Sequence, residues 1–318
     1  MLLIICFAYG FNGLQSYNMS SALEYYIPGY SESSYPMIVG LILAVGTGLI
    51  IFGGVHRIGF ITSVMVPIMA GAYLLMGLFT IVTHLPQLPG VFAMILSEAF
   101  DFQAIFGGLA GSAVVIGIKR GLFSNEAGMG SAPNAAASAS VSHPAKQGMV
   151  QVISVFIDTL LICSATAMML LLSGVQGEAG VLDGIPFVQK AISANVGTWG
   201  IHFITASIFA FAFSSLIGNY YYAESNILFI KNNKVLLFVF RCTCLLAVFL
   251  GAQADFSLVW NLADITMGCM AIVNIIAILL LGNIALKVLK DYETQKKAGK
   301  NPVFKAENVG IKNTDCWK

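Results

Sequence analysis

Eight long apolar runs, joined by short polar connections, constrain this 318-residue chain more than any other feature. They fall at about 1–27, 37–54, 60–83, 103–140, 148–173, 201–223, 235–253 and 258–282. A helix needs about 20 apolar residues to cross the hydrocarbon core of a bilayer. Spanning β-strands are about 10 residues long and alternate apolar with polar, and these runs do not alternate. Lipid offers no partner to an open backbone hydrogen bond, so helices remain. Composition agrees, with 58% hydrophobic and 10% charged residues, against about 25% charged in soluble domains.

Several function classes drop out early. The net charge of +1 and the lack of a basic stripe argue against nucleic acid as a partner. Of the six cysteines, Cys6, Cys163, Cys242, Cys244 and Cys269 lie in apolar runs and only Cys316 does not, which reads as packing rather than as a disulfide or metal framework. The four histidines have no ligand spacing. No Ser-His-Asp, metal or phosphate-binding constellation points to an enzyme, and no enzymatic cofactor is expected. Met1 opens directly into an apolar run, without the basic start and small-residue cleavage site of a signal peptide.

Orientation follows from the loops, because Lys and Arg collect on the cytoplasmic side. The tail beyond Asn283 carries Lys287, Lys290, Lys296, Lys297 and Lys300. With that tail inside, the connections with Lys231 and Lys234, with Lys146 and with Arg57 also fall inside. Those with Glu32, with Glu178 and Asp183, and with Asp255 fall outside. The expectation is a transmembrane core over 1–282, a basic cytoplasmic tail over 283–318, and both termini of the chain in the cytoplasm. Small residues, including Gly46, Gly48, Gly107 and Gly111, are expected to let helices approach closely.

The fourth run is too long and too polar to be a simple span. Between residues 119 and 134 it holds Lys119, Arg120, Gly121, Glu126, Gly128, Gly130 and Pro133. Gly and Pro together interrupt a helix, and irregular backbone at membrane depth is tolerated only when buried in protein or lining a cavity. A broken helix leaves N–H groups to attract a carboxylate and carbonyls to bind a cation, as in secondary transporters. The alternative reading is a plain cytoplasmic loop between two helices.

The run Gly121-Leu122-Phe123-Ser124-Asn125-Glu126-Ala127-Gly128-Met129-Gly130-Ser131-Ala132-Pro133 closely resembles the signature of the alanine or glycine:cation symporter family, the sodium:alanine symporters. The resemblance continues through His143-Pro144, Gln147-Gly148, Phe156-Ile157-Asp158-Thr159, Phe211-Ala212-Phe213-Ser214-Ser215 and Leu258-Val259-Trp260-Asn261-Leu262-Ala263-Asp264. It covers roughly residues 1–290. It implies an all-α integral membrane protein with a leucine-transporter-like inverted-repeat core, its eight segments standing as core helices 3–10 and one of them broken near residues 123–130. It implies sodium-coupled symport of alanine or glycine across the plasma membrane, with sodium co-transported. No counterpart of the family's first two core helices is found, so the alternative is an inactive or partial fragment of such a symporter.

The resemblance also nominates site residues. Phe123, Ser124 and Asn125 match the substrate-contacting break, with Phe123 over the substrate's side chain. Gln15 matches a substrate-contacting glutamine, although a lone Gln in a membrane helix is also a common interhelical hydrogen-bonder. Ser214 and Ser215 match the cation-binding region and supply the oxygen that a hard ion takes; the competing reading is a serine bonded back to its own helix. Asn219 stands where the family usually has Trp, and Ser215 where Thr is more usual, so both bear on substrate choice. Arg120 and Glu126 are a candidate ion pair or gate, with Lys119 an alternative partner for Glu126. Asp158 and Asp264 are acids in or beside spans and need partners or water.

Overall fold

The computed structural model describes residues 1–53, 55–100, 109–177, 182–311 and 317, the side chains of 55–63 and 109–113 excepted. Gly54, Gly107, Glu178, Cys316 and the side chain of Arg57 therefore lie outside the described residues. The protein is helical, with no β-strand element among the described residues. In chain order the helices are α1 (Leu2–Ile5), a π-helical stretch Cys6–Phe11, α2 (Asn12–Ser21), α3 (Tyr35–Ile51), α4 (Val55–Thr83), α5 (Leu88–Ala99) and α6 (Leu109–Asn125). There follow α7 (Ala132–Ala137), α8 (Pro144–Phe156), a second π-helical stretch Ile157–Cys163, α9 (Ser164–Leu171), α10 (Gly184–Val196), α11 (Trp199–Ile230), α12 (Lys234–Gly251) and α13 (Phe256–Lys297). Among the described residues, five helical segments are long and apolar enough to cross a membrane: Val64–Thr83, Pro144–Leu171, Trp199–Ile230, Lys234–Gly251 and Phe256–Lys297. The apolar helix α3 has 17 residues.

Two helices fall in stretches that the apolar runs leave as connections. Both α5 and α10 are shorter than a span, at 12 and 13 residues. The helix α10 buries Gln189, Ala191 and Ile192 and packs on α11. A one-sided apolar stripe of this kind is invisible to a search for continuous runs. Conversely, α13 does not stop where its apolar run ends near residue 282 but continues to Lys297.

The chain divides into two compact units, one of Met1–Lys119 with Leu160–Thr266, the other of Arg120–Thr159 with Met267–Lys318. In the first unit, α2, α3, α11 and α12 pack on one another. The contact between α2 and α12 is a polar ladder. Asn12 Nδ2 donates to Cys244 Sγ at 3.3 Å, Ser16 Oγ to Val248 O at 2.6 Å, and Ser20 Oγ to Ala252 O at 2.7 Å. Both helices advance by four residues per rung, so they run parallel and keep one face toward each other. The ladder closes because there is almost no side chain between the backbones. A Cβ added at Gly251 would lie 2.4 Å from Gly13 O and 2.5 Å from Gly13 Cα. The close approach expected of small residues is made by Gly13 and Gly251, and also by Gly48, whose Cβ would lie 3.3 Å from Leu245 Cδ1, and Gly40, whose Cβ would lie 2.7 Å from Phe249 O, whereas nothing lies within 4 Å of a Cβ built on Gly46.

An ion pair ties α11 to α12. Arg241 Nη2 meets Glu224 Oε1 at 2.7 Å and its Nε donates to the Tyr220 hydroxyl at 2.8 Å, with Phe52 under the guanidinium. Lys119 Nζ lies 3.4 Å from Asp264 Oδ2, which identifies a partner for one of the two acids left open by the sequence.

In the second unit the tail is docked. Residues Pro302, Phe304 and Ala306 are buried while Asn301, Val303 and Lys305 between them are exposed, the period of two of an extended segment. Phe304 N–H donates to Ser142 O at 2.9 Å, and the Gln295 amide both donates to Val303 O and accepts from Val303 N–H, each at 3.0 Å. Lys146 Nζ reaches Asn301 Oδ1 at 2.7 Å. Fully buried His143 caps α8, its Nδ1 accepting from Ala145 N–H. That leaves Nε2 to carry the proton, and it faces Asp291 Oδ2 at 3.2 Å. The rings of Tyr292 and Phe304 meet the imidazole edge-on.

Candidate functional site at the helix break

The helix α6 ends at Asn125, inside the expected break, and helix resumes at Ala132. The backbone between them turns through left-handed conformations at Glu126 (φ 55°), Gly128 (φ 87°) and Gly130 (φ 104°). Glycine visits this region freely, but for a glutamate it costs about 1–2 kcal/mol. Among the described residues Glu126 is the only non-glycine with positive φ. Strain of this kind persists only where surrounding contacts hold it, and it gathers at functional sites.

Those contacts are specific. Ser124 Oγ donates to Asp158 Oδ2 at 2.7 Å, and Asn125 Nδ2 donates to Thr159 Oγ1 at 3.1 Å. Asn125 Oδ1 accepts from Ala127 N–H at 3.0 Å, closing the turn locally. Asp158 and Thr159 open the π-helical stretch Ile157–Cys163, a wider turn found often at functional sites. From α13, Asn274 Nδ2 donates to Gly128 O at 2.9 Å. A Cβ at Gly130 would sit 3.1 Å from Asn274 Cβ, so both the space and the φ there require glycine. Arg120 lies over the Phe123 ring at 6.0 Å, within cation–π range.

Asp158 therefore has a partner, and two residues passed over in the sequence, Thr159 and Asn274, hold the break in place. Asn274 had a readable signal: it is a single amide in an otherwise apolar stretch of α13, and such groups seek interhelical bonds. One expectation fails. The second half of the broken helix, α7, has only six residues, too short for the anion-attracting N-terminus anticipated for it.

The remaining nominated residues lie in the other unit, on α2 and α11. Ser214 Oγ donates to Phe211 O at 2.8 Å, so its hydroxyl is engaged with its own helix. Packing fixes the register of the two helices. Ala8 clusters with Ile217 and Tyr220, and Met19 with Ala212 and Leu216, so the chains run antiparallel. Phe7 lies tilted against Phe11, ring centroids 4.9 Å apart, and meets Tyr222 edge-on at 5.6 Å. One stripe on α2 then reads Phe7, Phe11, Gln15, and the facing stripe on α11 reads Tyr222, Asn219, Ser215. In that register Gln15 and Ser215, both half-buried, stand at the same level, and Phe11 stands level with Asn219.

In the connection between α2 and α3, burial raises the Tyr30 phenol above its ordinary pKa; the Ser20 hydroxyl bonded to it pulls the other way, and the Glu24 charge adds to the rise.

The family model for the sodium:alanine symporter family matches residues 1–306. The amino-acid carrier protein AlsT of Bacillus subtilis is 46% identical over 319 residues, covering 100% of this chain and 67% of its own length. The probable sodium/glutamine symporter GlnT of the same organism is 45% identical, over 100% of this chain and 65% of its own length. The sodium/alanine symporter AgcS of Methanococcus maripaludis is 38% identical over 84% of this chain and 59% of its own length. The chain spans about two thirds of the length of the curated relatives it matches.

Proposed function

This chain belongs to the sodium:alanine symporter family, and from that premise we propose that the protein is a secondary active transporter coupling sodium entry to uptake of a small neutral amino acid, alanine or glycine, across the plasma membrane. The observation that carries this reading is the break at residues 126–131. It coincides with the family signature, strains Glu126 to φ 55°, and is held by Asp158, Thr159 and Asn274. A structural loop has no need of three polar braces from two other helical segments.

Roles follow for each unit. In the unit with the break, Phe123 covers the substrate's side chain, while Ser124 and Asn125 address its charged ends and are oriented for this by Asp158 and Thr159. Arg120 and Glu126 form the candidate gate. In the other unit, Gln15, Ser215 and Asn219 contact substrate, and the hydroxyls of Ser214 and Ser215 serve sodium. The fold is read as a leucine-transporter-like inverted repeat, with both termini of the chain and the lysine-rich tail in the cytoplasm.

The test is uptake of labelled alanine by cells or vesicles carrying the protein. Uptake should require sodium and fall at least tenfold in Asn125→Ala. Uptake of equal rate in sodium-free medium would overturn the coupling, and full activity in Asn125→Ala would overturn the placement of the site.

A further inference from the structure

The two struts that brace the break are joined a second time, far from it. One strut is the helix that starts at Pro144 and runs on into the π-helical stretch carrying Asp158 and Thr159; the other is α13, which carries Asn274. At the break, Asp158 and Thr159 hold Ser124 and Asn125, and Asn274 holds Gly128 O. At 1.5 Å per helical residue, Pro144 lies about 21 Å from Asp158 along the first strut, and Asp291 about 25 Å from Asn274 along the second. The struts thus reach a similar distance from the break, to the point where His143 Nε2 faces Asp291 Oδ2 at 3.2 Å. Between these two ends, among the described residues, α8 and α13 make no extensive close approach of their backbones.

That second joint is built largely from the tail. Toward α8, Phe304 N–H donates to Ser142 O at 2.9 Å, Ser142 Oγ donates to Pro302 O at 3.0 Å, and Lys146 Nζ donates to Asn301 Oδ1 at 2.7 Å. Toward α13, the Gln295 amide bonds both backbone polar groups of Val303. The Phe304 ring, 5% exposed, fills the corner and meets the His143 imidazole edge-on. Four consecutive residues, 301–304, are therefore bonded to both struts. Ordering an extended segment costs conformational entropy, and a basic tail that only fixed orientation would stay in water. Bonds to two separate helices are what a clamp requires.

We propose that the docked tail positions the break from a distance, with Phe304 as the positioning residue. Two rigid struts joined at one end only are free to splay, and Asp158 and Thr159 then draw away from Asn274. Joined at both ends they form a closed frame, and the three braces are fixed relative to one another. Rigid helices carry such a constraint over this length. The effect on the break follows from the frame alone. The effect on transport rests on the amino-acid symport reading above: a break already held in shape binds substrate without first being ordered, so releasing the tail weakens binding.

The experiment follows amide hydrogen exchange at residues 126–131 in detergent-solubilised protein, with trypsin cleavage after Lys305 reporting release of the tail. In Phe304→Ala the break should exchange about fivefold faster or more, the lower end of couplings between sites, while α2 and α12 in the other unit keep their rates. Phe304→Leu, which keeps most of the apolar bulk, should restore slow exchange. Gln295→Ala removes both bonds to Val303 without touching a core side chain; it should act in the same direction and covers the case in which Phe304→Ala fails to fold. In transport, the alanine concentration giving half-maximal uptake should rise about fivefold in Phe304→Ala. Coupling is reciprocal, so alanine with sodium should slow cleavage after Lys305 in the unaltered protein by about the same factor. Faster cleavage with unchanged exchange at 126–131 overturns the clamp, because the tail is then free and the break has not noticed. Faster exchange everywhere, in α2 and α12 as well as at the break, also overturns it and makes Phe304 a general packing group. If the unaltered protein takes up no amino acid, the symport reading falls, and the exchange rates still decide whether the tail positions the break.

Discussion

Replacing Gly251 with alanine tests the helix packing most sharply, because the added atom meets backbone rather than a movable side chain. The new Cβ would lie 2.4 Å from Gly13 O and 2.8 Å from Gly13 C, where ordinary contact begins near 3.4 Å. The two helices must therefore part by about 1 Å, since close-packed interiors cannot absorb the atom elsewhere. That movement stretches the Ser16–Val248 and Ser20–Ala252 bonds, now 2.6 and 2.7 Å, past useful range. Overpacking costs about 1–3 kcal/mol, and each interhelical bond in a membrane protein is worth about 0.6 kcal/mol. The expected loss is about 2–4 kcal/mol. Gly46→Ala is the control, because nothing lies within 4 Å of its Cβ; it should be neutral or slightly stabilising, as alanine is the better helix former. The assay heats detergent-solubilised protein and measures the fraction that stays monodisperse on a sizing column. If Gly251→Ala and Gly46→Ala melt at the same temperature, the parallel, backbone-close contact of α2 and α12 is wrong.

Two further outcomes concern the tail and the connection after α2. Phe304 is 5% exposed, and Phe304→Ala should loosen the docked tail by about 3 kcal/mol; trypsin cleavage after Lys300 or Lys305 should then speed up by roughly a hundredfold, since cleavage follows the open population. An unchanged cleavage rate would mean that the tail is not held by this ring. Burial raises the Tyr30 pKa in the folded protein, so the neutral phenol's stabilisation is complete below the unfolded value of about 10 and is lost as pH rises through the folded value. Melting temperature should fall above about pH 10, and less steeply in Tyr30→Phe; parallel pH curves for the two proteins would remove Tyr30 as a cause.

Lone residues mark the boundary between what was readable and what was not. The break near Phe123 was readable because Gly121, Gly128, Gly130 and Pro133 have local backbone consequences. Its bracing was not, because Asp158, Thr159 and Asn274 reach it from 34 to 146 residues away. Asp158 and Asp264 could be recognised as needing partners from charge and hydropathy alone, but Ser124 and Lys119 could be named only once the helices were placed.

The apolar runs by themselves determined that this is a protein of membrane helices, since run length against bilayer thickness is a local property of the chain. The signature around Phe123–Pro133 likewise determined the family, because its residues are contiguous. Tertiary structure decided which glycines are contact points, which acids are paired, and that the basic tail docks against Ser142 and His143 rather than standing free. These depend on which faces of distant helices meet. Composition sets how apolar a helix is, but only packing sets which neighbour its few polar groups find.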